Sequence, residues 1–331
     1  MKPWLSILIP VYNVEAYLNE CVDSVLSQWE EGVEIILLDD QSIDGSFKIM
    51  KQMAENSNAV VILQQEKNSG ISAVRNRLIA AATGQYLWFL DSDDVMAKGA
   101  LEELRGIVLA HSPDLIMCDY CIWRPETKIL SKNWKRESHV ASFSGPKNKL
   151  LSDPMQLFSG MYQKGKLHCW SKIFKRNLWS DDLSFPEGKY FEDMAVAPRL
   201  AIRVSSYYYT AKVWVKYRQR AGSILSVPSL KKIDDMTSAV DGVLALWRTK
   251  YPGIKLSARL IFASYCVKVY FFALKELKKI GLYNPEKVDL YRNLLLNNVQ
   301  CGKFKLVWLL LLKGDIVKAM KLVRYFWFIK N

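Results

Sequence analysis

Short, unbroken apolar runs alternate with amphipathic stretches through the first hundred residues. Residues 5–9, 33–38, 59–63 and 86–90 are the apolar runs. Between them, residues 15–28 place Ala16, Leu18, Val22, Val25 and Leu26 near one helical face. Residues 44–55 form a helix that Asp44 is suited to cap, and residues 72–82 a helix that stops at Gly84. The pattern predicts β-α-β-α-β-α-β. Strands this apolar, separated by helices, belong to a parallel sheet covered on both faces. Beyond it, residues 114–122 and 207–217 predict further strands. The last hundred residues have helical spacing, with long Pro-free segments at 231–248 and 257–280 and an amphipathic stretch at 315–330. Three regions are expected: residues 1–115, 116–225 and a helical, basic region at 226–331.

In parallel sheets ligands sit beyond the carboxyl ends of the strands. The first apolar run leads to Tyr12 and Asn13, the second to Asp39 and Asp40, and the fourth to Asp91, Asp93 and Asp94. The turn after the first strand reads Pro10-Val11-Tyr12-Asn13 and contains neither glycine-rich phosphate cradle, G-x-G-x-x-G or G-x-x-x-x-G-K-[ST]. A phosphorylated ligand therefore needs another source of positive charge. A hard divalent cation, Mg²⁺ or Mn²⁺, would supply it and would explain the crowding of Asp91, Asp93 and Asp94. The alternate spacing of Asp91 and Asp93 points both carboxylates one way in an extended segment. The competing reading is an Asp-rich turn, or Asp93 or Asp94 capping a helix that starts near Met96.

Charge and cysteine usage narrow the field. The 331-residue chain carries a formal net charge of +13, and from Lys255 to Asn331 there are 15 Lys and Arg against 4 Asp and Glu. A basic chain seeks phosphates, on nucleic acid, an anionic membrane or small molecules. Six sparse cysteines argue against a disulfide framework. Cys118 and Cys121 form the one close pair, and without a second C-x-x-C or H-x-x-x-H an apolar strand holding two thiols is favoured over zinc. No signal peptide is visible, and no stretch reaches the ~18 apolar residues of a transmembrane helix. A cytoplasmic location is expected. His111 and His139 read as surface or loop residues.

Six short motifs in order give the chain its resemblance. They are Ser6 to Asn13 (SILIPVYN), Ile36 to Ser46 (ILLDDQSIDGS), Asn68-Ser69-Gly70, Ala73 to Asn76 (AVRN), Gly84, and Phe89 to Asp94 (FLDSDD). The chain resembles a family 2 glycosyltransferase of the GT-A fold, a Rossmann-like, mostly parallel sheet flanked by helices. The match is firm over residues 4–115, loose in the middle and nearly absent in the C-terminal third. The resemblance implies a UDP-sugar donor whose uracil is bound by one carboxylate of Asp39 and Asp40 and bordered by Pro10 and Tyr12, with Asn13, Asn68, Gly70 and Ser92 around the donor. Asp91 and Asp93 would form the D-x-D element for ribose and metal, with Asp94 near the sugar. Arg75 would face the donor phosphate or pair with a nearby aspartate. The Glu192-Asp193 pair would supply the catalytic base, assigned to Asp193, or merely the acidic first turn of a helix. His168, Trp170 and Lys172 match the stretch that precedes the Glu-Asp pair in relatives, with His168 and Trp170 expected at the acceptor. Trp170 would stack on an acceptor sugar or lie in the core. Tyr217, Arg218, Arg220 and Ser223 would form a flap over the diphosphate.

The implied reaction is inverting transfer of a hexose (glucose, galactose or their N-acetylated forms) to a lipid-linked saccharide. Lipopolysaccharide core, O-antigen and capsule intermediates are the candidate acceptors. Residues 303–330 interleave Trp308, Phe326, Trp327 and Phe328 with Lys and Arg, which suits an anionic membrane interface at the inner face of the cytoplasmic membrane. The alternative is a helix on the protein's own core with a solvated basic face. No nucleic-acid motif appears, so nucleic acid is not expected as a partner. Two other classes stay open: a sugar nucleotidyltransferase, against which the first turn speaks, and a non-catalytic sugar-nucleotide-binding membrane protein.

Overall fold

The computed structural model describes residues 2–124, 137–180, 182–219 and 227–328. Its centre is one mixed sheet of ten strands. The first half alternates strand and helix as the pattern predicts: β1 (Leu5–Val11), α1 (Leu18–Leu26), β2 (Val33–Asp39), α2 (Ser46–Asn56), β3 (Val60–Gln64), α3 (Ile71–Ala81) and β4 (Tyr86–Phe89). These four strands are parallel, in the order β3-β2-β1-β4. Alternate residues feed opposite layers. Leu5, Ile7, Ile9, Val33, Ile35 and Leu37 join one buried cluster with α1 and α2, while Leu8, Ile36 and Leu38 join another with α3. Gly84 is required by close approach, because a Cβ there would lie 2.6 Å from the Ser6 nitrogen.

The sheet continues past residue 115 without a break. β5 (Val95–Met96), α4 (Ala100–His111), β6 (Leu115–Trp123), β7 (Glu137–Val140), β8 (Leu150–Leu151), α5 (Pro154–Lys164), β9 (Lys172–Lys175), α6 (Glu192–Ala201) and β10 (Tyr207–Arg218) follow. β9 runs antiparallel between β4 and β6, and β10 lies parallel to β6. Because β9 is reversed, its amino end lies at the same sheet edge as the carboxyl ends of β4, β6 and β10. Neither Asp93 nor Asp94 caps a helix. Val95 and Met96 pair with β10, and the next helix starts only at Ala100. Cys118 and Cys121 both lie on β6.

The C-terminal region is helical but more broken than the pattern suggests. The segment 231–248 forms two helices, α7 (Leu230–Ser238) and α8 (Val243–Lys250), separated at Gly242, whose φ of +70° a side-chain-bearing residue rarely adopts. α9 (Leu256–Lys279) and α10 (Pro285–Val299) follow. The tail folds as α11 (Lys303–Leu312) and α12 (Ile316–Val323), then a π-helical turn, Arg324–Phe328. α9 corrects the expectation that no segment is long and apolar enough to cross a bilayer. Its 24 residues meet that test by length and composition, yet half of its most apolar window is buried inside the protein. Its inner face, including Phe262, Val267, Tyr270 and Leu274, packs on the sheet-covering cluster.

Candidate active site

The order β3-β2-β1-β4 reverses direction between β1 and β4, and a crevice forms outside the carboxyl ends of strands at such a reversal. Three loops meet there. After β1, Asn13 adopts φ +50°. It receives Ile43 N–H on Oδ1 (2.9 Å) and donates its own N–H to Ser42 Oγ (3.0 Å), so the first two loops are laced together. Pro10 is buried within β1, whereas Tyr12 is 46% exposed at the lip. Asp39 is fully buried and accepts Gln64 Nε2 (3.0 Å) and Ser42 N–H (3.2 Å). Asp40 accepts the Ser69 and Gly70 N–H groups, each at 2.8 Å, and Asn68 Nδ2 donates to its carbonyl at 3.0 Å. Asn68 and Gly70 therefore reach Asp40 and fix its loop.

After β4 the chain turns, with Asp94 N–H donating to the Asp91 carbonyl (2.9 Å). Ser92 and Asp94 are buried, while Asp91 and Asp93 are partly exposed. Asp94 Oδ1 accepts Arg218 N–H at 2.8 Å, and its Oδ2 is buried without a hydrogen-bond partner. Burial, then the charges of Asp91 and Asp93, push the Asp94 carboxyl well above the ordinary carboxylate range. Arg218 is no flap residue. At the end of β10 it is buried, donates Nε to the Asp93 carbonyl (2.8 Å), pairs with Glu20 and lies 4.2 Å from the Trp123 ring centre. It holds the aspartate turn from behind. Tyr217 beside it stacks on Trp170. Arg220 and Ser223 lie outside the described residues.

Arg75, on α3, connects this turn to the middle of the chain. Buried between the rings of Phe89 and Phe185, it donates to Asp91 Oδ1 (3.0 Å) and to Glu192 Oε1. Of the two roles expected for Arg75, the structure shows the ion pair. Glu192 and Asp193 open α6 after Phe191, whose φ of +58° is an outlier for an aromatic residue. Such strain is stored at functional sites. Adjacent helical residues diverge by about 100°, and these two find different partners. Glu192 meets Arg75. Asp193 Oδ2 lies 3.3 Å from His168 Nδ1. Burial raises the Glu192 carboxyl; Arg75 opposes this and the Asp193 charge adds to it. Burial acts on Asp193 as well, but the His168 hydrogen bond and charge, then Arg75 and Lys172, outweigh it and hold that carboxyl below its ordinary value. Two neighbouring carboxylates with acidities pushed apart are the usual sign of divided roles.

His168 is itself held. Its ring stacks on Trp170 at 4.8 Å, and its carbonyl accepts Lys172 Nζ (2.9 Å) and Ser171 Oγ (3.1 Å). Lys172 is buried, also donates to the Lys166 carbonyl (2.8 Å), and burial pushes its ammonium down to about 8. Trp170 is 3% exposed, stacked on His168 and Tyr217 with Tyr120 edge-on at 4.6 Å. Of the two readings of Trp170, acceptor stacking and core, the structure shows the core one, with the ring packed against His168. His111 and His139 also have companions. His111 ends α4 and stacks on Tyr208, and His139 Nε2 lies 2.8 Å from Asp119 on β6.

Ser42 and Gln64 were not legible as site residues in the sequence, and Arg218 was legible only as a flap residue, not as the support of the aspartate turn. Each acts through a contact 3 to 125 positions away in the chain that local pattern does not encode. Among the described residues no three His, Cys, Asp or Glu side chains form a ready-made metal cage. The partly exposed Asp91 and Asp93 nevertheless fit Mg²⁺ or Mn²⁺, because such ions are commonly held by one or two carboxylates with the substrate's phosphates completing the shell.

This edge gathers acidic loops at the reversal of a parallel sheet and a carboxylate pair at a helix start, tied to one another through Arg75. The family model for glycosyl transferase family 2 matches residues 6–173, and the chain belongs to that family. It is 26% identical over 248 residues to the glycosyltransferase GlyA of Streptococcus pneumoniae, covering 73% of this chain and 34% of GlyA. It is 30% identical over 227 residues to the putative glycosyltransferase EpsH of Bacillus subtilis, covering 67% of this chain and 63% of EpsH. The chain thus spans less than two thirds of either relative. A crystal structure of Staphylococcus aureus TarS 1–349 in complex with UDP superposes with a TM-score of 0.68 at 20% identity, over 98% of this chain and 89% of that one. That likeness establishes the GT-A fold expected from the motifs.

Proposed function

We propose that the chain is an inverting glycosyltransferase that moves a hexose from a UDP-sugar to a lipid-linked saccharide, forming a β-glycosidic bond. The acceptor class is bacterial surface polysaccharide intermediates: lipopolysaccharide core, O-antigen or capsule. The observation that carries the reading is the pair of clamps on adjacent carboxylates, Glu192 on Arg75 and Asp193 on His168, at the edge where Asp91 and Asp93 lie. Asp193 is the base. It takes the proton as the acceptor hydroxyl oxygen bonds to the anomeric carbon and the bond to the UDP oxygen breaks. One displacement inverts the centre. Glu192, Arg75 and Asp91 form a fixed strut that keeps base and donor in register. One carboxylate of Asp39 and Asp40 accepts from the uracil, with Pro10 and Tyr12 bordering the ring. Asp91 and Asp93 would hold the divalent ion, which when bound supplies positive charge to the departing diphosphate. The UDP complex of TarS supports a uridine nucleotide donor here.

The test is UDP release by the full chain from a panel of UDP-sugars with Mn²⁺ or Mg²⁺ and saccharide-lipid acceptors. Asp193→Asn is expected to lower turnover by about 10²–10⁴-fold while leaving UDP affinity nearly unchanged. Folded protein that releases UDP from no donor would overturn the reading. Pyrophosphate released from a nucleoside triphosphate and a sugar phosphate would favour the nucleotidyltransferase instead.

A further inference from the structure

The last two helices present an apolar surface that the other described residues leave uncovered. On α11 the exposed large side chains are Phe304, Trp308, Leu311 and Leu312, a spacing that keeps them on one face, while Leu306, Leu309 and Leu310 are buried on the other. On α12 and the turn after it, Ile316, Met320 and Trp327 form a second exposed stripe, with Leu322 and Phe326 buried. Trp308 is 60% exposed, Met320 67% and Phe304 78%. The stripes meet, because Leu311 and Met320 both line a groove of about 470 Å³ between the helices, with Val307, Ala319, Val323 and Arg324. Patches of this kind on a folded chain mark an interaction surface.

The charge around the patch selects the occupant. From Lys303 to Phe328 the basic residues are Lys303, Lys305, Lys313, Lys318, Lys321 and Arg324, and the one acidic residue is Asp315. Asp315 is already matched by Lys313 (3.2 Å), Lys318 (3.3 Å) and the Ser264 hydroxyl. The surface is therefore apolar, rimmed by positive charge, and has tryptophan at two positions, Trp308 and Trp327. An amphipathic element of that composition lies in the interface of an anionic bilayer, its apolar face among the acyl chains and its cations at the phosphates. It does not span: the ten residues of α11 reach roughly 15 Å at 1.5 Å per residue, half a hydrocarbon core.

We infer that the α11–α12 hairpin is a monotopic membrane-docking element that inserts Phe304, Trp308, Leu311, Leu312, Ile316 and Met320 into an anionic lipid surface. It rests on the proposed reaction only in its purpose, which is to bring the site to a lipid-borne acceptor. The binding itself needs neither donor nor acceptor. The test is flotation of the full chain with vesicles of phosphatidylcholine alone and of phosphatidylcholine mixed equally with phosphatidylglycerol, without nucleotide. Binding to the anionic vesicles, weakened by salt, is expected. Trp308→Ser with Met320→Ser, both solvent-facing, should reduce it at least tenfold, and Lys321→Gln or Arg324→Gln roughly fivefold each. Circular dichroism and UDP binding confirm that these variants are folded. Failure to float with anionic vesicles, or flotation indifferent to the Ser substitutions, overturns the inference. So does a concentration-dependent dimer in sedimentation velocity that the same substitutions abolish, which would show a second copy covering the patch. Vesicle binding by a chain that transfers no sugar would leave the inference standing while the proposed reaction failed.

Discussion

Glu192 and Asp193 are neighbours in sequence with acidities shifted in opposite directions, and they meet different partners. Arg75 holds Glu192 in a buried pair that also engages Asp91, while Asp193 takes the solvent-accessible ring of His168. The His168 contact keeps Asp193 ionised, and an ionised carboxylate is what a base must be. Activity should then fall only as pH drops through the depressed acidity of Asp193. Removing the contact, as in His168→Asn, lets burial dominate, so the carboxyl rises and the acid limb of the kcat/KM profile moves to higher pH. The effect belongs in kcat, with KM for the donor little changed. Trp170→Leu should mimic it in part by releasing the His168 ring, an outcome that a sugar-stacking role for Trp170 would not produce. A profile whose acid limb does not move in His168→Asn would show that Asp193 is set by other groups.

At the scale of elements, what the sequence made legible was whatever repeats with a period. The parallel half was readable because β1, β2 and β4 are apolar on both faces and their helices keep a 3.6-residue pattern, and the aspartates stood out because they end those strands abruptly. Boundaries moved by one to three residues where a turn took over, as at Asp44, which receives the Ser46 N–H from just outside α2 instead of heading the helix. The reversed strand β9 and the break at Gly242 were not legible, since antiparallel insertion and a left-handed glycine leave no periodic trace. The same limit hid Asp114, which ties the starts of β6 and β10 to the end of β9. It accepts Lys175 Nζ (3.0 Å) and the N–H groups of Ser205 (2.9 Å) and Ser206 (3.2 Å). Partial burial raises its carboxyl, but these bonds more than offset that and hold it below the ordinary value. A depressed carboxyl contributes stability that is present above its unfolded value and disappears as pH falls through the folded one. Asp114→Asn should therefore cost about 1–2 kcal/mol in urea unfolding at pH 7. Wild type and variant should converge near the acid end. An equal gap at both pH values would assign the loss to packing alone.

The molecule as a whole does not divide where the family match ends. That match stops at residue 173, yet the cluster under the sheet is completed from beyond residue 230. Phe158 on α5 packs against Trp247 (4.7 Å between ring centres) and Phe262 (5.6 Å), and Tyr162 meets Phe262 (4.8 Å) and Tyr265 (5.1 Å). Trp247 also donates its Nε1 to the Pro198 carbonyl of α6, the helix that begins with the proposed base. Uncovering a buried aromatic or aliphatic side chain costs about 1.5–3 kcal/mol. Stripping Leu157, Phe158, Met161, Tyr162, Val196 and Leu200 of their C-terminal partners removes an amount comparable to the whole stability of a domain, about 5–15 kcal/mol. Residues 1–226 produced alone should then lose cooperative urea unfolding and bind a hydrophobic dye. Co-expressed residues 227–331 should restore both properties by refilling the cluster. The helical region would thereby be fixed to the catalytic half as one body, so that a lipid surface engaged by α11 and α12 sets the orientation of the crevice at β1 and β4. A truncated chain that unfolds cooperatively at the full-length midpoint would break that link and leave the tail free to bind membranes without orienting the site.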